Sequence, residues 1–147
     1  MPKIEGLLTG RKLLTLPATA SVLVATRLMA DNNVGCVLII DDRQRTLGIF
    51  TERDLLTRVV APAKDPATLR LEEVMTRDLY TAEASAKVAD VRRELQARHI
   101  RHLPVVEGQV VVAMLSLRDL LAADLAATNF EKRAMTEYIQ GTPPAGA

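Results

Sequence analysis

The sequence predicts an α/β (α+β) protein: two tandem β-α-β-β-α units related by pseudo-twofold symmetry, followed by a short C-terminal helix. Three observations predict it. An internal repeat sets residues 28–41 against residues 94–107; compact apolar runs alternate with segments whose apolar residues recur at helical spacing; and one strand-to-helix junction occurs in each copy. The junctions are Gly48-Ile49-Phe50-Thr51-Glu52-Arg53-Asp54 and Ala113-Met114-Leu115-Ser116-Leu117-Arg118-Asp119. Leu95 falls on Met29 at a shift of 66 residues and Asp119 on Asp54 at 65, so one residue is lost between the two matches. The polar turn Asp42-Arg43-Gln44-Arg45, against the shorter Glu107-Gly108-Gln109, is where length can vary.

Each element has its own signal. Residues 13–16 and 79–82 are short extended lead-ins. Val22, Ala25, Leu28 and Met29 share one helical face, as do Val88, Val91 and Leu95. Val37-Leu38-Ile39-Ile40 and Leu103-Pro104-Val105-Val106 are buried strands, each paired through a turn with the strand that carries the junction. A second helix then offers Leu55, Leu56, Val59 and Val60 in one copy and Leu120, Leu121 and Leu125 in the other. The boundaries follow: a first unit over 8–64, a connector rich in proline and charge, a second unit over 71–127, and an amphipathic helix and tail over 128–147. Residues 1–12 and 71–78 lead into each unit as a helical turn. In the tail, Thr128 and Glu131 suit a capping box, Phe130, Ala134 and Tyr138 recur at helical spacing, and Gly141 with Pro143-Pro144 ends the pattern.

Composition excludes several function classes. At 147 residues the chain is long enough for a real core, and 48% apolar with 25% charged residues marks it as globular. A formal charge of +1 with no basic patch argues against a nucleic-acid binder, and 3% aromatics leave no stacking surface for single strands. Apolar runs such as residues 34–40 are too short to span a bilayer, and no apolar signal segment follows Lys3, Arg11 and Lys12. The lone Cys36 forms no internal disulfide. A cytoplasmic protein is expected, with neither membrane nor nucleic-acid partners.

The two Thr/Ser-x-x-Asp tetrads admit two readings. In one, Thr51 and Ser116 are N-caps and Asp54 and Asp119 are first-turn acids that suit the helix dipole. In the other, the junction offers free N–H groups and a hydroxyl to a phosphate, and the acid accepts hydrogen bonds from a ribose diol. A metal site at His99 and His102, with Glu107 as a third ligand, is disfavoured: residues three apart in an extended segment face opposite ways, and no Cys/His cluster supports them. No nucleophile elbow, P-loop or paired metal motif accompanies Asp54, Asp119 or His102, so no enzyme is expected.

The repeat, the element order and the Gly-apolar-apolar-Thr-x-x-Asp ending resemble the CBS domain, two of which in tandem form a Bateman module. The resemblance rests most specifically on Gly48 to Asp54, on Arg101-His102-Leu103-Pro104-Val105-Val106 and on Val74-Met75-Thr76. It looks most like small stand-alone bacterial CBS pairs. It implies a non-catalytic sensor, without a catalytic cofactor, that binds an adenosine-containing ligand (AMP, ADP, ATP, NAD or S-adenosylmethionine) between the units. Such a sensor dimerises as a flat disc and signals to an effector protein that the sequence does not identify. Carried over residue by residue, Asp54 and Asp119 hold ribose hydroxyls, while Thr51 and Ser116 sit at the phosphate with Arg53 and Arg118 nearby. Thr15 and Thr81 line the base pocket. Gly35-Cys36-Val37 and Arg101-His102-Leu103 supply main-chain contacts to the base, with Arg101 and His102 reaching phosphates and Gly35 and Cys36 leaving room for a flat base. Arg101 and His102 against the small, uncharged Gly35 and Cys36 make the two sites non-equivalent, and two departures from the family pattern, Leu38 against Pro104 and Ala113 against Gly48, count against equal occupancy. The rival within the family is a ligand-free pair that dimerises and regulates a partner, in which Asp54 and Asp119 act only as caps.

Overall fold

A computed structural model describes residues 2–8 and 13–139. The first unit comprises β1 (Thr15–Pro17), α1 (Val22–Asn32), β2 (Cys36–Ile40), β3 (Thr46–Thr51) and α2 (Glu52–Asp54), which continues without a break as a π-helical stretch, Leu55–Val60. The second comprises β4 (Ala82–Glu83), α3 (Val88–Arg98), β5 (His102–Glu107), β6 (Val110–Ser116) and α4 (Leu117–Ile139). Each unit holds one three-stranded sheet in which the first strand runs parallel, and the third antiparallel, to a central strand. The parallel step is the one that needs a helical crossover, and α1 and α3 supply it.

The registers repeat as the sequence shift requires. Cys36 faces Thr51 as His102 faces Ser116, and Ile39 faces Gly48 as Val105 faces Ala113. Both hairpins then skip one residue, Leu47 or Val112, as a bulge. Ile40 pairs with Thr46 where Val106 pairs with Val111, so the lost residue lies in the hairpin tip. The crossover helices also stop alike: Asn33 (φ 52°) and His99 (φ 55°) take the left-handed conformation that ends a helix, and Asn and His are among the non-glycine residues that tolerate it.

Two apolar cores result. Val22, Ala25, Met29, Val37, Ile39, Phe50 and Val59 form the first; Val88, Val91, Leu95, Leu103, Leu115 and Leu120 belong to the second. Each is completed by the lead-in of the other unit. The helical turn Ile4–Leu7 lies on the second unit, where Ile4 N–H donates to Ala86 O and Glu5 N–H to Ala84 O, and Ile4 is fully buried in its core. The turn Leu71–Glu73 lies on the first, where Leu71 N–H donates to Ala20 O and Glu72 N–H to Ala18 O, with Leu71 buried in that core. The lead-ins form helical turns as expected, but they cross over. A unit of some 55 residues is marginal alone, and each lead-in adds its buried side chain to the core of the other unit.

The tail corrects one expectation. No separate helix starts at Thr128: α4 runs unbroken from Leu117 to Ile139, and the Thr128 hydroxyl donates back to Asp124 O at 3.0 Å instead of capping a new turn. Nothing between Leu117 and Glu131 is a helix breaker, so the expected boundary at residue 128 is not a structural one. Gly141, Pro143 and Pro144 lie outside the described residues. Phe130 and Met135 on the extension are about 70% and 67% exposed.

Candidate functional site

At the end of β3, the chain turns into α2 through a complete capping box. Thr51 Oγ1 accepts from Asp54 N–H at 3.2 Å, and Asp54 Oδ2 accepts from Thr51 N–H at 3.0 Å. The second unit repeats this: Ser116 Oγ accepts from Asp119 N–H at 3.1 Å, and Asp119 Oδ2 accepts from Ser116 N–H at 2.8 Å. Both tetrads therefore cap their helices, as their spacing predicts.

The surroundings of Asp54 go beyond a cap. Its carboxylate is the buried charged group among the described residues, 7% exposed. The Thr76 hydroxyl donates to it, 3.2 Å from Oδ1 and 3.4 Å from Oδ2, and Arg58 Nε stands 3.6 Å from Oδ1. Arg58 Nη1 also donates to Val74 O at 2.9 Å and Met75 O at 3.1 Å. Thr76 is held against β3 by a reciprocal pair of backbone bonds with Ile49, and a Cβ on Gly48 would lie 2.7 Å from Thr76 O. Gly48 is thus glycine because the connector crosses there. Ala113 carries the methyl group that such an approach excludes.

Asp54 and Thr51 open onto a cavity of about 650 Å³ between the units. The first unit contributes Ile49, residues 51–54 and Leu56; the connector contributes Thr76 and residues 78–80; the second unit contributes residues 99–102 and Pro104. The lining combines polar groups, among them Thr51, Asp54, Thr76, Arg101 and His102, with the apolar surfaces of Leu79, Tyr80, Ile100 and Pro104. The Tyr80 ring is backed by the Arg98 guanidinium, 4.6 Å from its centroid. Burial pushes the Tyr80 phenol up, Glu94 adds to this, and Arg98 opposes it. A concave site with an apolar wall and a few convergent polar groups is the form small-molecule sites take.

At the unit junction the space above Gly35 is taken. A Cβ there would lie 2.6 Å from Glu52 Oε1 and 2.9 Å from His102 Nε2, so glycine admits both side chains. The ends of these two side chains therefore lie over Gly35, where room for a flat base is expected. Burial pushes the His102 imidazole down; Glu52, Asp119 and Asp54 oppose this and Arg101 adds to it. Burial pushes the Cys36 thiol up to about 12, with Glu52 adding to the shift, so the thiol stays protonated.

Of the residues singled out from the sequence, Thr51, Arg53, Asp54, Arg101 and His102 line this cavity. Val37 and Leu103 are fully buried in the two cores, which leaves only their main chain for a ligand. Thr81 is exposed, Thr15 is half-buried at the start of β1, and neither lines the cavity; Asp78, Leu79 and Tyr80 stand there instead. Ser116, Arg118 and Asp119 form the pseudo-symmetric junction in the second unit. The chain that corresponds there to Thr76 includes Thr9 and lies outside the described residues. Sequence reasoning missed Arg58, Thr76 and Tyr80. Thr76 was within reach, since it ends the Val74-Met75-Thr76 motif; for Arg58 only the i,i+4 spacing to Asp54 is local, and its two carbonyl partners lie 16 and 17 residues away.

Among the described residues no group of three or more potential metal ligands gathers, and no helix is long and apolar enough to cross a membrane. The CBS domain family matches the chain twice, over residues 6–61 and 71–126. The mitochondrial CBS domain-containing protein CBSX3 of Arabidopsis thaliana is 27% identical over 121 residues, which cover 80% of this chain and 59% of that one. The chain spans less than two thirds of the length of the first curated relatives it matches. A solved CBS-domain protein of Burkholderia ambifaria superposes with a TM-score of 0.80 at 28% identity, over 85% of this chain and 95% of that one. A CBS domain protein of Pyrobaculum aerophilum, solved in complex with AMP, superposes with a TM-score of 0.72 at 26% identity, over 80% and 89%.

Proposed function

The chain belongs to the CBS domain family as a tandem pair, and from that premise we propose that it is a regulatory module that binds an adenosine-containing ligand between its units and passes the change to a partner. The observation that carries this reading is the cavity between the units, lined by the buried Asp54, by basic residues and by apolar side chains. The AMP complex of the Pyrobaculum relative supports the ligand class. AMP, ADP, ATP and NAD(H) all carry the adenosine that such a site recognises.

In this reading Asp54 serves two tasks. Oδ2 keeps the cap, while the Thr76 hydroxyl at Oδ1 gives way to a ribose hydroxyl. Arg53, Arg101 and His102 face the phosphates, and the wall of Leu79, Tyr80, Ile100 and Pro104 takes the base. Binding, not catalysis, does the work. It regulates only if the partner or the subunit arrangement has different ligand affinity in its two states. A homodimer supplies such an arrangement: Leu56 and Val60 on the first unit, about 61% and 60% exposed, recur in Leu121 and Leu125 on the second, 41% and 62% exposed. Pseudo-symmetric apolar pairs of this kind suit a self-complementary contact.

The test is thermal unfolding with AMP, ADP, ATP, NAD, NADH and S-adenosylmethionine, repeated for Asp54→Ala, Asp54→Glu and Asp119→Ala. A ligand at a hundred times its dissociation constant adds roughly 2.7 kcal/mol. One adenosine ligand raises the midpoint, and both Asp54 variants lose the shift. The second reading is a ligand-free dimerisation module, favoured by the completeness of both capping boxes. It predicts that no ligand moves the midpoint and that Asp54→Glu, which keeps a capping acid, changes nothing.

A further inference from the structure

We propose that Glu52 is a specificity-determining residue, which confines the cleft to adenosine ligands with no more than one phosphate by setting a negative charge where a second or third phosphate would reach. The inference deepens the adenosine reading above and rests on it. Glu52 follows the capping Thr51, lines the cavity with Arg53, Arg101 and His102, and is exposed to solvent. Its side chain lies over Gly35 of its own unit, where it meets His102 from the other: a Cβ on Gly35 would lie 2.6 Å from Glu52 Oε1 and 2.9 Å from His102 Nε2. The two ends converge on one point. A phosphate that reaches His102 therefore also comes close to the Glu52 carboxylate.

This corner of the cavity is negative. Among the described residues no Lys or Arg forms an ion pair with Glu52. Its charge is felt by both neighbours: after burial it is the next cause of the shift at His102 and at Cys36, and in each it favours the protonated form. Burial meanwhile holds the imidazole towards its neutral form, so near neutral pH His102 offers a hydrogen bond and not a cation. The guanidinium groups of the lining, Arg53 and Arg101, match one phosphate dianion, and Asp78 adds a further acid to the same lining. Each additional phosphate brings negative charge beside Glu52, and like charges about 4 Å apart cost about fivefold in affinity even at the dielectric of water. A first-turn acid also suits the helix dipole, but that role is indifferent to what a ligand carries.

The test measures the affinities of adenosine, AMP, ADP and ATP by titration calorimetry on the full chain, for wild type, Glu52→Gln and Glu52→Lys. The buffer is free of magnesium, which would mask the phosphate charge. Wild type binds AMP at least about fivefold more tightly than ATP, with ADP between them. Glu52→Gln narrows the ratio of AMP to ATP affinity at least about threefold, and Glu52→Lys, which reverses the charge, narrows it further. A wild-type ratio below about fivefold overturns the proposal. So does a wild-type ratio in either variant, since an acid that serves only its helix shifts every ligand by the same factor. If adenosine binds and the ratio ignores Glu52, this inference alone is refuted; if none of the four binds, the adenosine reading falls and takes it along.

Discussion

The two half-sites share one device and differ in the strand residues that face it. Thr51 with Asp54 and Ser116 with Asp119 make the same reciprocal cap, with the same donors and acceptors. Around Asp54 stand the Thr76 hydroxyl and the Arg58 guanidinium. The register positions facing the caps diverge too, Cys36 opposite Thr51 and His102 opposite Ser116. Burial acts on both in opposite directions, raising the thiol and lowering the imidazole, because in each case it penalises the charged form. A four-residue motif therefore fixes where a helix begins, and its neighbours fix what else the motif can do.

The crossing of the lead-ins offers the strongest way to break the symmetry. Ile4→Ala removes a fully buried side chain from the second core, and Leu71→Ala does the same to the first. Each is expected to cost about 3 kcal/mol in chemical denaturation. The two transitions should stay cooperative and unfold both units together; separate melting of one unit would show that the halves are independent.

Gly48 and Ala113 sharpen the comparison further. Gly48→Ala sets a methyl group against the Thr76 carbonyl and is expected to cost about 1–3 kcal/mol. Ala113→Gly removes a buried methyl group without a clash and should cost about 1 kcal/mol or less. Equal costs would mean that the connector does not approach β3 as closely as the structure shows.

The smallest effect is the pH dependence set by His102. Its folded value lies below the ordinary 6.5, so below that pH the unfolded chain binds the proton first. The stability that His102 contributes is present above pH 6.5 and is lost as pH falls through the folded value. In His102→Gln that component of the acid slope should vanish from denaturation curves taken between pH 5 and pH 7.5, about the range in which an imidazole titrates. An unchanged slope would assign the dependence to carboxylates.

Much of the fold was legible because its signals are local. Apolar spacing located α1 and α3 through Val22, Ala25 and Met29 and through Val88, Val91 and Leu95, all buried in the structure. The repeat placed the two hairpins, whose registers in the structure, Cys36 with Thr51 and His102 with Ser116, correspond. The second helices were legible only in part. Val59 and Leu120 face the cores, but Leu56, Val60, Leu121 and Leu125 are exposed, and composition alone cannot say that an apolar residue will stay so. Of the candidate site, the tetrads and the basic pair Arg101 and His102 were in view, whereas Arg58 and Tyr80 were not.

By itself the sequence determined the unit order, the two hairpins and the caps, because periodicity, turn chemistry and a repeat act over a few residues or are copied whole. Only the tertiary structure decided that each lead-in completes the other unit, that Thr76 and Arg58 meet at Asp54, and that Glu52 and His102 fill the space above Gly35. Those contacts join residues far apart in the chain, and their geometry follows from how the two cores pack.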